Sequence, residues 1–166
     1  MNFNNIILTS LQIPHLGRES ILKIFYNADT DAFSESDFFD HLNSYVYLNT
    51  EKQKNSINLL TKDEFNKYLK YASEIISKSE QENLKLLNIK DNKYPSSLKK
   101  INKPPALLFV FGNIDAINQY HNNVAVIGTR NPTNEGNKIA YDVGSFLSKK
   151  KYNVISGLAK GCDSQE

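Results

Sequence analysis

The sequence predicts an α/β fold, with a helical domain over residues 1–83 followed by the first part of a doubly wound parallel sheet over residues 84–166. Apolar residues recur at helical spacing up to about Asn83, and short apolar runs of strand length follow. Two of those runs, residues 124–127 and 153–156, enclose one amphipathic segment. Strand, helix and strand in this order predict a βαβ unit with parallel strands and a right-handed crossover.

Four helices are predicted in the first domain. The first covers residues 3–13, the second ends near Asn27, and Ser34 or Ser36 is predicted to cap the third. Thr61 caps the fourth, and Glu64 completes a capping box. In chain order, the predicted buried faces are Phe3, Ile6, Ile7 and Leu11; Ile21, Leu22, Ile24 and Phe25; Phe38, Phe39 and Leu42; and Phe65, Leu69, Ala72, Ile75 and Ile76. The polar segment 49–58 is predicted to be a loop or a frayed helix.

The second domain begins with two more apolar runs, residues 84–89 and 106–111, separated by a helical turn after Tyr94-Pro95. The helix of the βαβ unit is predicted over residues 135–152, with its apolar face inward; that face consists of Ile139, Val143, Phe146 and Leu147. The last residues read as a loop entering a helix. We therefore expect the chain to be a piece of a longer protein and its sheet to be about half of a doubly wound domain.

Composition limits the class of protein. The 166 residues are 40% hydrophobic and include 9 Phe and 9 Tyr, which excludes wholesale disorder. No apolar run is long enough for a membrane helix, and the start lacks the features of a secretory signal, so we expect a cytoplasmic protein. The single cysteine, Cys162, excludes an internal disulfide and a cysteine-rich zinc site.

The charge is unevenly distributed. Residues 1–83 hold 8 basic and 12 acidic side chains, a balance of −4, and residues 84–166 hold 12 and 6, a balance of +6. A basic second half favours phosphate or nucleic-acid partners. Because 18 of the 20 basic residues are Lys in an Asn-rich chain, a merely solvated surface explains the count equally well.

The first candidate ligand-binding loop follows the strand at 124–127. A glycine, Gly128, ends that strand, Thr129 and Arg130 follow, and a helix is predicted to begin near Gly136. This arrangement directs backbone N–H groups and a helix dipole at one point, which is typical of a phosphate site. Arg130 supplies a bidentate cation. The spacing fits neither a dinucleotide fingerprint nor a Walker loop, and an ordinary turn with a solvated arginine is the alternative.

The second loop follows the next parallel strand, so the topology predicts that it lies beside the first. It offers Ser156, the backbone of Gly157 and Gly161, and the charge of Lys160. Asp163 is expected to cap the next helix or to hold Lys160 or Arg130. Two ordinary strand-to-helix turns are the alternative.

The same residues carry a resemblance to the DNA-processing protein A family (DprA, also called Smf). Its motifs occur in order, from about Tyr94 to Asp163. They are Tyr94-Pro95-x-x-Leu98; Pro104-Pro105-x-Leu107-x-Phe109-x-x-Gly112; Ala125-Val126-Ile127-Gly128-Thr129-Arg130; Gly136; and Ser156-Gly157-Leu158-Ala159-Lys160-Gly161-Cys162-Asp163. The family pattern continues to an Ala-His pair, where this chain has Ser164-Gln165-Glu166. The helical front half is similar to the family's sterile-alpha-motif-like (SAM-like) domain.

The resemblance implies a helical SAM-like N-terminal domain followed by the first part of a Rossmann-like doubly wound sheet. It implies an accessory protein of DNA processing and natural transformation that binds single-stranded DNA and assists loading of the RecA recombinase. The arginine and lysine of the family's DNA pocket map onto Arg130 and Lys160. The family's dimer and RecA contacts lie in the part that follows, so a homodimer is expected of the complete protein only.

Other features point to no further chemistry. The segment 11–18 resembles half of a helix-hairpin-helix DNA element, with a purely structural turn as the alternative. His15, His41 and His121 lie far apart, so we expect no metal, and we expect no cofactor. No nucleophile has an activating partner, Cys162 included, so we expect no catalytic residue and no enzyme. The competing functional hypothesis is a Rossmann-like nucleotide-binding enzyme or sensor related to phosphoribohydrolases; an inert half-domain carrying a helical interaction module is a third.

Overall fold

The structure, a computed structural model, describes residues 1–44, 50–118 and 122–164. It is a mixed α/β protein, mostly helical, with two small sheets. The chain divides into two compact units, Met1–Gly112 and Asn113–Glu166. The change of sequence pattern near residue 83 does not coincide with this division.

Five helices form most of the first unit: α1 (Phe3–Ser10), α2 (Arg18–Phe25), α3 (Glu35–Ser44), α4 (Glu51–Asn58) and α5 (Lys62–Gln81). The capping box predicted at α5 is present, because Thr61 Oγ1 accepts from Glu64 N and the Glu64 carboxylate accepts from Thr61 N. Of the two alternatives predicted for residues 49–58, the structure contradicts the loop from Glu51 onward, where the helix α4 lies. Its N-terminus is stabilised by Thr50, whose hydroxyl accepts from Gln53 N. The first helix ends at Ser10, three residues earlier than predicted.

An aromatic cluster forms the centre of this unit. Phe25 and Phe38 are both buried, with ring centroids 5.1 Å apart, and Phe38 lies 5.2 Å from Phe65. Tilted aromatic pairs of this kind contribute about 0.5–1.5 kcal/mol each beyond the apolar area they bury. The cluster joins α2, α3 and α5, and Ile6 and Ile7 of α1 are also fully buried.

Two short antiparallel strands complete the first unit. They are β1 (Lys85–Asn88) and β2 (Leu107–Val110), paired from Lys85 with Val110 to Asn88 with Leu107. The predicted helical turn is α6 (Ser96–Lys99). Before α6 lies Tyr94, which is only 2% exposed and whose hydroxyl donates to the Pro105 carbonyl at 2.6 Å. β1 also packs against α1 and α5, which is why this hairpin belongs to the helical unit.

The second unit contains the predicted βαβ arrangement. β3 (Asn123–Ala125) and β4 (Asn153–Ile155) are parallel, and α7 (Asn134–Lys149) joins them. The mixed α/β class is thereby confirmed. The SAM-like and Rossmann-like assignments stay predictions.

One prediction about α7 is wrong. Ile139, Val143 and Phe146 are exposed by 57%, 38% and 58%, although the sequence pattern placed them inward, and Leu147 is half-buried. The buried stripe of α7 is instead made of Ala140 and Gly144. Two strands of three residues cover only a narrow stripe of a helix, so small residues occupy the contact and the larger ones stay outside it. No helix in the described part of the chain is both long and apolar enough to cross a membrane.

Candidate functional site

Two loops lie at the carboxyl ends of β3 and β4. The parallel register pairs Ala125 with Ile155, and Val126 N donates to Ile155 O at 3.0 Å immediately beyond it. Because both strands run in the same direction, the chain leaves both of them at the same end of the sheet. The first loop, residues 126–133, and the second loop, residues 156–163, therefore start side by side.

Asp163 fastens the two loops together. Its side chain is buried, and its Oδ1 accepts a hydrogen bond from the backbone N–H of Gly128 at 3.2 Å. A second link runs from Cys162 N to Thr129 O at 3.1 Å. The sequence predicted that Asp163 would cap a helix or hold a cation, whereas its described partner is a backbone N–H of the other loop. The Gly128 N–H is thus already engaged within the protein.

The glycines at this junction are required by the close approach of the two backbones. A Cβ on Gly128 would lie 2.3 Å from Cys162 Cβ, and a Cβ on Gly161 would lie 2.3 Å from Thr129 O. Gly161 also has a φ of +108°, which side chains of L-residues rarely tolerate. A Cβ on Gly157 would meet Asp163 Oδ2 at 3.2 Å. Gly128 and Gly161 thus allow the direct loop-to-loop contact.

The two predicted cations extend from this junction into solvent. Arg130 and Lys160 are both exposed. The backbone of Arg130 passes so close to Gly161 that a Cβ there would lie 2.8 Å from Arg130 Cα, and Lys160 is the neighbour of Gly161 in the chain. The backbones that carry the two cationic side chains therefore lie next to each other at the surface. Neither forms an ion pair within the described residues.

The remaining predicted residues have local hydrogen bonds. Thr133 caps α7, with its Oγ1 accepting from Gly136 N at 3.1 Å, and Thr129 Oγ1 accepts from Asn131 N at 3.2 Å. Ser156 Oγ accepts from Leu158 N at 3.2 Å. These bonds shape the loops and use Thr129 Oγ1 and Ser156 Oγ as acceptors, so each hydroxyl still has a proton to donate.

Sequence reasoning missed the apolar surroundings of the loops. Ile127 is 86% exposed and Leu158 is 81% exposed. An apolar cavity of about 300 Å³ lies between the first loop and α7, lined in part by Ile127, Ile139 and Val143. Ile127 was assigned to the strand, but β3 ends at Ala125 and so frees it. A side chain of this kind has no signal in the sequence that distinguishes it from a strand residue.

Metal and thiol chemistry receive no support from the geometry. The described residues contain no group of three His, Cys, Asp or Glu side chains placed to hold a metal ion. His121 lies outside the described residues. Cys162 is half-buried, with its side chain directed at Gly128. The arrangement can therefore offer two cations, loop hydroxyls and an apolar cavity to a ligand.

These features define an α/β protein whose βαβ unit presents two linked, cation-bearing loops at one sheet edge. The profile of the family described as DNA recombination-mediator protein A matches residues 85–166. Residues 85–166 are therefore similar to this family, and the resemblance that the sequence motifs predicted is confirmed. The match includes both loops.

Named relatives agree with this assignment. The chain is 28% identical over 102 residues to DNA processing protein DprA of Bacillus subtilis (strain 168), covering 61% of this chain and 34% of that protein. It is 30% identical over 93 residues to Protein Smf of Synechocystis sp. (strain ATCC 27184 / PCC 6803 / Kazusa), covering 55% of this chain and 23% of that protein. The chain thus matches about a third or less of the length of these relatives.

A solved structure shares the fold. The X-ray structure of DNA processing protein A (DprA) from Streptococcus pneumoniae aligns with a TM-score of 0.61 and 24% identity. The alignment covers 99% of this chain and 53% of that one.

Proposed function

We propose that the chain binds single-stranded DNA, through phosphates held by the two linked loops, as an accessory part of DNA processing and recombination. The observation that carries the proposal is that Arg130 and Lys160 start from the junction fastened by Asp163. Two exposed cations whose backbones lie close together are placed to neutralise adjacent phosphates of a strand. The similarity of residues 85–166 to a recombination-mediator family supports the same ligand.

The site binds and does not catalyse in this proposal. The apolar cavity beside Ile127 accepts the flat face of a base or a sugar while the cations hold the phosphate. Phosphate contacts carry no sequence information, so affinity is expected to vary little among oligonucleotides of different sequence. The recombinase partner RecA and the homodimer of the complete protein, both implied by the resemblance, belong to this proposal as predictions.

The test is fluorescence anisotropy of a labelled oligo-dT with the chain and with Arg130→Ala and Lys160→Ala, at two salt concentrations. Removing one cation that neutralises a phosphate is expected to lower the log–log salt slope by roughly 0.7. Lys149→Ala is the matched control, because it removes one exposed cation from the far end of α7. Circular dichroism of each variant establishes that the fold is retained.

The outcomes separate the two functional hypotheses. Loss of affinity and of salt slope in Arg130→Ala and Lys160→Ala, but not in Lys149→Ala, supports the single-strand site. Equal affinity in all variants contradicts it. Displacement of oligo-dT by a mononucleotide at comparable concentration favours the nucleotide-binding enzyme or sensor instead.

A further inference from the structure

The positive charge of the second half of the sequence is concentrated outside the two loops. Residues 84–112, which fold with the first unit, hold 6 basic and 1 acidic side chains, a balance of +5. Residues 113–166 hold 6 and 5, a balance of only +1. The excess charge that pointed to a nucleic-acid partner therefore belongs to the hairpin and to α6 of the first unit.

Basic residues of this segment lie near basic residues of α2. Arg18, Leu22 and Tyr26 recur at intervals of four residues and so share one face of α2 and its C-terminal cap. Lys99 of α6 lies opposite, with its Nζ 5.7 Å from the ring of Tyr94. The charge of Arg18 also acts on Tyr94, where it opposes the upward shift of the pKa that burial causes. Tyr94 is thus the common neighbour of Arg18 and Lys99.

A hollow of about 400 Å³ opens on this face. Lys23, Tyr26 and Lys99 line its rim together with Asn27, while Leu22 and Ile89 form its apolar floor. Tyr26 is 45% exposed, so one part of its ring is available to a ligand. We name Arg18, Lys23, Tyr26 and Lys99 with this hollow the α2–α6 surface.

The nearby acidic groups are already engaged. Glu19 pairs with Lys103 at 2.8 Å, and this hydrogen bond and charge hold the pKa of Glu19 below its usual range. Asp91 Oδ2 accepts from Asn88 N at 2.7 Å. Within the described residues, neither Lys23 nor Lys99 has a carboxylate partner. Among the described residues, Lys99 Nζ donates to the backbone carbonyl of Asp91 at 3.5 Å and Lys23 acts on Glu19 through its charge, which leaves both ammonium groups able to meet an external anion as well.

We propose that the α2–α6 surface is a second binding site for single-stranded nucleic acid, separate from the two loops, with a base stacked on Tyr26 and phosphates on Lys23 and Lys99. The alternation of exposed cations with an exposed aromatic ring beside an apolar hollow fits a strand whose charges and bases alternate. An acidic peptide matches the lysines but does not use the ring. The choice of single-stranded nucleic acid as the ligand rests on the proposed function. The residues of this second site are different from those of the two loops.

The experiment uses the complete chain with oligo-dT, and measures the affinity and salt slope of Lys23→Glu/Lys99→Glu. The matched control is Lys52→Glu/Lys67→Glu, which makes the same change of net charge at two other exposed lysines. The α2–α6 variant is expected to lose about tenfold more affinity than the control, and to lower the salt slope by about 1.4, two neutralised phosphates at roughly 0.7 each. Tyr26→Ala is expected to weaken binding without changing the slope.

A second measurement locates the strand directly. Oligo-dT carrying 5-iododeoxyuridine is irradiated with the chain, and the cross-linked peptides are identified by mass spectrometry. A cross-link at Tyr26 supports the proposal. Equal binding by the α2–α6 variant and the control, with no cross-link in residues 18–27, overturns it.

The outcomes also distinguish this inference from the proposed function. Binding that disappears in Arg130→Ala and Lys160→Ala but is equal in the α2–α6 variant and its control overturns only the inference. Binding that disappears in the α2–α6 variant alone overturns only the assignment of the loops. No binding by the folded chain overturns both. Displacement by poly-L-glutamate as efficient as by oligo-dT, with Tyr26→Ala unaffected, overturns the nucleic-acid assignment in favour of an acidic protein.

Discussion

The carboxylate of Asp163 accepts a hydrogen bond from the backbone N–H of Gly128, which lies 35 residues earlier in the chain. This bond connects the loop after β3 to the loop after β4, and its acceptor, Asp163, is buried whereas Gly128 is exposed. It also places a negative charge beneath a surface that carries Arg130 and Lys160. Asp163 therefore positions the loops and does not itself attract an anion.

Asp163→Ala is expected to destabilise the second unit by about 0.5–1.5 kcal/mol, because it removes a hydrogen bond between the two loops while leaving the exposed Gly128 N–H open to water. Asp163→Asn keeps an acceptor oxygen and removes the charge, so it is expected to cost less and to preserve DNA affinity. Hydrogen exchange of the Gly128 amide, followed by NMR, measures the destabilisation in both variants. Asp142→Ala, at an exposed carboxylate of α7, is the control. Equal exchange rates in Asp163→Ala and the control would show that the bond does not hold the loops.

Gly128→Ala is expected to destabilise the chain by about 1–3 kcal/mol, because its methyl group would overlap the side chain of Cys162. Removing that side chain should make room for the methyl group. The double variant Gly128→Ala/Cys162→Gly is therefore expected to recover part of the loss, which a double-mutant cycle in urea unfolding measures. Strict additivity of the two single changes would contradict the contact.

Tyr94→Phe is expected to lower stability by roughly 1 kcal/mol, because it removes the donor to the Pro105 carbonyl in a buried setting. Burial also raises the pKa of the Tyr94 hydroxyl, so its ionisation in an ultraviolet titration should lie above the usual range of a tyrosine. Tyr71→Phe, at a ring that is 48% exposed, is the control. A loss of stability no larger than that of the control would show that the hydrogen bond from Tyr94 to Pro105 does not stabilise the fold.

The capping box of α5 predicts a dependence on pH. Hydrogen bonds from the Thr61 backbone and hydroxyl hold the pKa of Glu64 below its usual range. A carboxyl whose pKa is depressed by folding stabilises the folded state above its unfolded pKa, and that contribution disappears as the pH falls through the folded value. NMR titration should therefore give Glu64 a low pKa in the native chain and a less depressed one in Thr61→Ala, which loses the hydroxyl donor but keeps the backbone N–H, with Thr61→Ser close to native. A normal value in the native chain would contradict the capping box.

Features determined by near neighbours in the sequence could be predicted. The capping box depends on Thr61 and Glu64, three residues apart, and the parallel pairing of β3 with β4 follows from two apolar runs joined by one helix. The positions of both loops follow from that pairing. These relationships are local or topological, and a single sequence contains them.

Features determined by the surroundings could not be predicted. The apolar pattern of α7 has helical spacing, but spacing does not show how much surface the neighbouring strands cover, so Ile139 and Phe146 were placed on the wrong side. The partner of Asp163 depends on a contact across 35 residues. The helix α4 has a polar sequence, and its formation depends on the Thr50 cap and on burial of Ile57.

The two units differ greatly in the number of apolar side chains they shelter. The first contains the aromatic cluster and the buried faces of α1 and α2, whereas the buried apolar side chains of the second, within the described residues, are Ile114 and Ala140. The second unit should therefore open more readily, and native-state hydrogen exchange should resolve two levels of protection. A ligand on the loops would raise only the lower level, whereas one on the α2–α6 surface would raise the upper, so a single exchange experiment reads out which face of the chain is occupied.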